Sequence, residues 1–277
     1  MKTILVPIDF SDVSENAFVH ALEMAKTFNS QIVLLHTYEL PVIDGQTSQM
    51  DYALLYDSIE NSNSDLLKKE VSKLNKIAET HQASHIVLKH ILIEGGLVQA
   101  INRCIEKETI DLVVMGTSGA TGWFESILGT NTGSVIADVA IPVLSIPKNA
   151  QYVPIDTIGF TTRFRAKDKI ALEQVVAWAK VLNTKVKCLY VQTPDTDISE
   201  SEINHWKEHF KNQNLLAFFI IPDEDVKTAI EDFIIDQEID VLAMLTYKRN
   251  FFESLFTTTT TQKLTQYINT PILALHG

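Results

Sequence analysis

The chain has 277 residues, 45% hydrophobic and 21% charged, a balance that suits a folded protein with apolar surface enough for about two cores of ordinary size. Its formal net charge is -12, with 10 basic and 18 acidic residues up to Lys148 and 13 and 17 beyond it. An acidic, unpatterned surface argues against non-specific binding to nucleic acid or anionic membranes, and no apolar run approaches the roughly 20 residues that cross a bilayer.

The opening MKTILVPIDF reads as a short buried strand rather than a leader peptide, so the expected location is the cytoplasm. Hydrophobic periodicity then predicts strands over about 3–8, 31–37, 85–93, 111–116 and 142–146, with helices at 12–28, 64–81, 96–107 and 130–139. Strand and helix alternate, which predicts a doubly wound, mostly parallel α/β sheet. The polar stretch 40–64 reads as a long excursion over the surface, of a kind that covers a ligand. Two prolines in PKNAQYVPI, 147–155, mark a linker. Cys104 falls on a predicted helix and Cys188 on a predicted strand in the other half, which suits buried free thiols rather than a disulfide or a zinc site.

Sliding the chain against itself reveals an internal repeat. At an offset of 154, ALEMAKTFNSQIVLLHTY (21–38) lies over VVAWAKVLNTKVKCLYVQ (175–192). At an offset of 129, AINRCIEKETIDLVVM (100–115) lies over AIEDFIIDQEIDVLAM (229–244), and IPVLSI over TPILAL. The offsets differ by 25, so the second copy lacks most of the 40–64 excursion. The expected architecture is two tandem, doubly wound five-stranded sheets, with domains at 1–148 and 152–277.

Chemistry concentrates between Asp111 and Val135. The strand DLVVM breaks at Gly116 into a loop with further glycines at Gly119, Gly122, Gly129 and Gly133, and a helical pattern starts at about Thr130. Loop amides and a helix N-terminus converging there would make an anion cradle. No Lys or Arg lies in the stretch, so a phosphate would depend on peptide N–H groups, on hydroxyls of Thr117, Ser118, Thr130 and Thr132, and on a metal ion. The spacing is neither G-x-x-x-x-G-K-[ST] nor G-x-G-x-x-G, and taken alone it fits an ordinary flexible loop as well as a ligand site. In a sheet of this order, ligands sit beyond the carboxyl ends of the strands where the winding reverses, which would set Asp9 after the first strand opposite Gly116 after the fourth. Asp9 also has a purely structural reading, as a partner to the helix start at Ser11 and Asp12.

The combination ILVPIDFSD, IVLLHTYE and VVMGTSG, with nine residues to Gly129-Thr130, resembles the universal stress protein family, and G-x-x-G-x(9)-G-[ST] resembles the mark of its nucleotide-binding members. The resemblance implies a Rossmann-like fold of the adenine nucleotide alpha hydrolase type and binding of ATP with magnesium or manganese. It implies Pro7, Ile8 and Asp9 at the ribose and adenine, with Asp9 accepting from the sugar hydroxyls. Thr37, where the family more often has Val, would meet the base through its backbone. Met115 and Gly116 would pack under the nucleoside, and Gly119, Gly129, Thr130 and Asn131 would surround the phosphates. It further implies a pseudo-dimer of the two copies through their last strands, PVLSIP and PILALH, and leaves room for homodimers of the tandem chain.

In the second copy Leu245 stands at the Gly116 position, Lys248 at Gly119, Thr257 at Gly129 and Arg163 at Asp9, so no ATP is expected there. Arg163, Lys248 and Arg249 are read as exposed loop cations before a separate anion site, and the run from Thr257 to Thr261 carries no functional reading. His205 and His209 lack a third ligand, and His85 and His90 cannot chelate together. No serine has the setting of a nucleophile. The leading expectation is a nucleotide-binding regulator of the stress response; the alternatives are a slow metal-dependent ATPase or autophosphorylating enzyme, and a nucleotide-free interaction scaffold.

Overall fold

The computed structural model describes residues 1–41, 49–117, 130–195, 198–246 and 269–276. By its contacts the chain divides into two compact units, Met1–Met115 and Gly116–Gly277.

The first unit runs β1 (Thr3–Pro7), α1 (Asp12–Phe28), β2 (Gln31–Tyr38), α2 (Gln49–Thr80), β3 (Leu88–Glu94), α3 (Leu97–Lys107) and β4 (Leu112–Thr117), whose last two residues open the second unit. Its strand order is β3-β2-β1-β4, and every pair is parallel. Ile4 sits beside Ile32 on one side and Leu112 on the other. β1 is buried along its whole length, which is why it reads as an unbroken apolar run instead of an alternating one. Asp111 fastens the sheet at its start, its Oδ2 accepting from the backbone N–H groups of Lys2 at 2.5 Å and Thr3 at 3.1 Å.

α1 forms because Ala17, Phe18, Ala21, Leu22 and Ala25 recur at helical spacing and bury one face. Ser11 caps its start by accepting from Ser14 N, and Asn29 ends it in the left-handed region at φ 51°. α2 departs from expectation. It begins at Gln49, not near residue 64, so much of the supposed surface excursion is helix. The reason is legible afterwards: no Gly or Pro interrupts 49–80, and Tyr52, Leu55, Tyr56 and Ile59 recur at three and four. The N-terminal half of α2 reaches the end of β2, where burial, a hydrogen bond with Tyr56 and the Glu60 carboxylate push the Tyr38 hydroxyl up to about 12.

The second unit continues with α4 (Thr130–Asp138), β5 (Val143–Pro147), β6 (Thr157–Thr161), α5 (Ala166–Leu182), β7 (Lys185–Gln192), α6 (Glu200–His209), β8 (Leu216–Pro222), α7 (Val226–Asp236), β9 (Val241–Thr246) and β10 (Ile272–His276). Its order is β5-β10-β9-β6-β7-β8, all parallel except β5 against β10. The strands PVLSIP and PILALH do pair: Leu144 lies opposite Leu273 in antiparallel register, and Ser145 Oγ donates to Ile272 O at 3.4 Å.

The two units share local devices at the sequence offsets. Asn183, 154 after Asn29, ends α5 in the left-handed region at φ 56°. Asp240, 129 after Asp111, accepts from the backbone N–H groups of Asp156 and Thr157, both at 2.9 Å. Phe10 and Phe164 both adopt positive φ, 67° and 55°, in the turns that follow β1 and β6. Cys104 and Cys188 are buried free thiols, and burial pushes both thiol pKa values up.

Candidate functional site

β1, β2 and β4 run parallel, so their carboxyl ends emerge along one edge, where parallel α/β sheets hold ligands. Along β1 the ladder continues one residue past the strand, Ile8 N donating to Leu35 O at 2.8 Å, and Pro7 and Ile8 remain buried. The chain then turns sharply and Asp9 is exposed. Phe10 takes a left-handed φ of 67°, which costs a bulky side chain about 1–2 kcal/mol and persists only where the surroundings hold it.

Asp9 Oδ1 accepts from Ser11 N at 3.1 Å and from Ser11 Oγ at 2.5 Å. Partial burial pushes its pKa upward, but the hydrogen bonds from the hydroxyl and amide of Ser11 and from the Ser14 hydroxyl outweigh that, and it ends below the usual carboxylate range. The structural reading of Asp9 holds, since the carboxylate steadies the turn into α1, and it does so while standing ionised at the strand end. It is an acceptor suited to hydroxyl donors.

Two further members of the expected set lie in the same unit. Thr37 is half-buried near the end of β2, in register with Ile93. Met115 is 5% exposed and continues the register that pairs Leu5 with Val113, which brings it level with Pro7. Pro7, Ile8, Asp9, Thr37 and Met115 thus gather at one edge of the first unit, an apolar floor with one charged acceptor.

In the second unit, Gly116 and Thr117 finish β4, and α4 begins at Thr130 with Asn131 exposed. Two hydroxyls expected to be available to a phosphate serve the backbone instead. Thr117 Oγ1 donates to Ile146 O at 3.5 Å, and Thr132 Oγ1 donates to Gly116 O at 3.4 Å, tying α4 to the end of β4. Ser118, Gly119, Gly122 and Gly129 lie outside the described residues, as do Lys248, Arg249 and 257–261.

The corresponding edge of the second unit is built differently. Arg163 is exposed at the Asp9 position, and Leu245 is buried, 5% exposed, at the Gly116 position. The turn is held by buried Asp168, whose Oδ2 accepts from Arg163 N at 2.7 Å, Arg165 N at 3.2 Å and Thr162 Oγ1 at 3.1 Å. Above it Phe164 meets the rings of Tyr190 and Trp206 edge-on at 5.0 and 5.1 Å, with Phe210 beyond. All four rings are buried. His205 and His209 are both exposed on α6, and His209 Nε2 pairs with Glu173 Oε1 at 2.8 Å. His85 precedes β3 and His90 lies on it.

Sequence reasoning passed over His36 and Phe10. His36 is buried on β2, with its ring centroid 4.2 Å from that of Phe10 and its Nδ1 2.8 Å from Ile8 O. One signal was available: aromatic residues recur at 10 and 164, just after β1 and β6.

Comparison with known proteins gives the family. The universal stress protein family model matches residues 1–147. A universal stress protein of Methanocaldococcus jannaschii is 30% identical over 147 residues, covering 53% of this chain and 82% of that protein. The crystal structure of a universal stress protein from Archaeoglobus fulgidus superposes with a TM-score of 0.69 over 99% of this chain and 96% of its own, a likeness of fold at 16% identity. A solved universal stress protein in complex with cAMP aligns with 52% of this chain and 96% of its own, at 19% identity and a TM-score of 0.36. A family model spanning more than half the sequence, over the same strands that carry Asp9 and Met115, means that the chain belongs to the universal stress protein family.

Proposed function

We propose that this chain is a tandem universal stress protein whose first repeat, 1–148, binds ATP and whose second, 152–277, is a structural and interaction partner. The observation that carries the reading is Asp9: an exposed carboxylate with a lowered pKa, fixed by Ser11 at the open end of β1 beside the apolar Ile8 and Met115. An ionised carboxylate accepting from two vicinal sugar hydroxyls makes short, charge-assisted bonds, and buried apolar groups beside it suit a purine face. The nucleoside half of the site is argued from the first unit alone. The phosphate half, Gly116, Gly119, Gly129, Thr130 and Asn131, rests on the sequence pattern G-x-x-G-x(9)-G-[ST], whose glycines let peptide donors approach an anion.

The donor set suits magnesium or manganese carried in on the nucleotide. Among the described residues no group of three or more His, Cys, Asp or Glu side chains gathers to hold a metal, so the ion would take its oxygens from the phosphates and water, a common arrangement for magnesium. Bound there, it would offset the triphosphate charge that a loop without Lys or Arg leaves uncompensated.

The tandem reading draws on devices recurring at the two offsets: the Asn29 and Asn183 caps, the Asp111 and Asp240 clamps and the left-handed Phe10 and Phe164. Antiparallel pairing of β5 with β10 favours an intramolecular pseudo-dimer. Arg163, Leu245 and the Trp206 cluster argue that the second repeat has given up the ligand. The test is stoichiometry. Heat release of small molecules from the purified full-length protein, read by adenine absorbance and mass, together with calorimetric titration of ATP and magnesium, is expected to give one nucleotide per chain. No adenine and no binding overturns the reading, two sites per chain overturns the assignment of the second repeat, and rapid steady-state turnover makes the protein an enzyme.

A further inference from the structure

We infer that His36 is a positioning residue that aims Asp9, by holding the backbone carbonyl before it and the Phe10 ring after it. The inference rests on the nucleotide reading above and adds to it a residue outside the expected ligand set. Ile8 O belongs to the peptide plane from which Asp9 departs, and His36 Nδ1 lies 2.8 Å from it. A carbonyl only accepts, so Nδ1 carries the hydrogen and donates, which fixes the ring's tautomer on that side. The residue after Asp9, Phe10, lays its ring against the same imidazole at 4.2 Å and 38°. One buried side chain therefore holds the peptide before the carboxylate and the side chain after it, while the carboxylate itself faces out.

On its far side the ring approaches α2, where Nε2 lies 3.2 Å from Asn63 Oδ1; that oxygen only accepts, as does the ring nitrogen without the hydrogen, so the contact is one of proximity and the hold on the ring comes from Ile8 O and Phe10. Asn63 belongs to the 25-residue stretch absent from the second copy, whose corresponding helix α6 has 10 residues against 32 in α2. There the His36 position is Tyr190, whose buried hydroxyl makes no hydrogen bond among the described residues, and the turn is pinned by Asp168 instead. The imidazole bridge thus accompanies the carboxylate: the copy that has Asp9 has it, and the copy with Arg163 does not.

The test separates aiming from folding by using the sugar. ATP and 2′,3′-dideoxyATP are titrated against the full-length wild-type protein and His36→Phe, which keeps a ring against Phe10 but has no donor. Misaiming Asp9 raises the ATP Kd about tenfold and leaves the Kd for the dideoxy analogue, which has no hydroxyls to present, within about twofold. His36→Asn, which restores a donor near the Nδ1 position, holds ATP within about threefold of wild type, whereas His36→Gln, with its amide one bond further out, behaves as His36→Phe does. The Asn and Gln pair decides the matter even if the Phe variant does not fold. Equal weakening of both nucleotides, or unchanged ATP affinity in the Phe and Gln variants, overturns the positioning role alone. A wild-type protein that binds neither nucleotide overturns the nucleotide reading and this role with it.

Discussion

Replacing Asp111 by Ala removes one carboxylate oxygen that takes two backbone donors at the start of β1, 108 or more positions away in sequence. The two bonds are not equal. Lys2 is exposed and can exchange its bond for water at little cost, while Thr3 is 2% exposed and its amide would lose its partner inside the protein. A charge-assisted bond of that kind contributes about 1.5–3 kcal/mol, so a loss of about 2 kcal/mol is expected. For a unit of this size that corresponds to a Tm lower by about 8 °C. Asp240→Ala should cost a similar amount, since its oxygen accepts from Asp156 and Thr157 at 2.9 Å each. The two changes share no partner, so the double variant should be additive within about 0.5 kcal/mol. Urea titration followed by circular dichroism measures all three. Asp111→Asn keeps an acceptor and should fall between wild type and Ala. An Asp111→Ala protein within about 0.5 kcal/mol of wild type would refute the clamp, because that is the range of surface changes that touch nothing. The functional consequence follows from register: Asp111 fixes the start of β1 against β4, and so where Asp9 and Met115 emerge.

Other changes probe the remaining links. Asp9→Asn should weaken ATP binding about tenfold at neutral pH, the worth of one charge-assisted bond. Because hydrogen bonds hold the Asp9 pKa down, the wild-type advantage over Asp9→Asn should persist through mildly acidic pH and vanish only as pH falls through that lowered value; disappearance near pH 6 would refute an ionised acceptor. The stability linked to the same group has the same sign, present above the ordinary carboxylate pKa and lost as pH falls through the folded-state value. Trp206→Ala should cost about 3–5 kcal/mol in denaturant titrations, since the ring is 2% exposed and packs on Phe164 and Phe210. Gly159→Ala should cost about 1–3 kcal/mol by overpacking, because a Cβ there would sit 2.9 Å from Ile239 Cγ2 and 3.1 Å from Leu242 Cδ1; unchanged stability would show that the strand shifts freely.

The alternation of strands and helices was written in local pattern. Unbroken apolar runs at 3–7 and 112–115, the cap Ser11 and the stop Asn29 need only neighbouring residues to specify them, and the repeat offsets carried the same pattern into the second half. The candidate ligand residues 7–9 and 115 were legible for a similar reason, since they follow directly from where two parallel strands end. The start of α2 was not, because a polar amphipathic stretch between 49 and 63 reads as surface until its one useful face finds Tyr38 and His36. The part played by His36 was hidden further still. Its partners, Ile8 O and the Phe10 ring, lie in the turn after β1, and nothing in IVLLHTY distinguishes a packed histidine from a linking one. Local sequence determines which backbone a segment prefers. Which carbonyl a buried ring will find, and which hydroxyls, such as those of Thr117 and Thr132, are already spent on the chain itself, depends on contacts that exist only after the strands have come together.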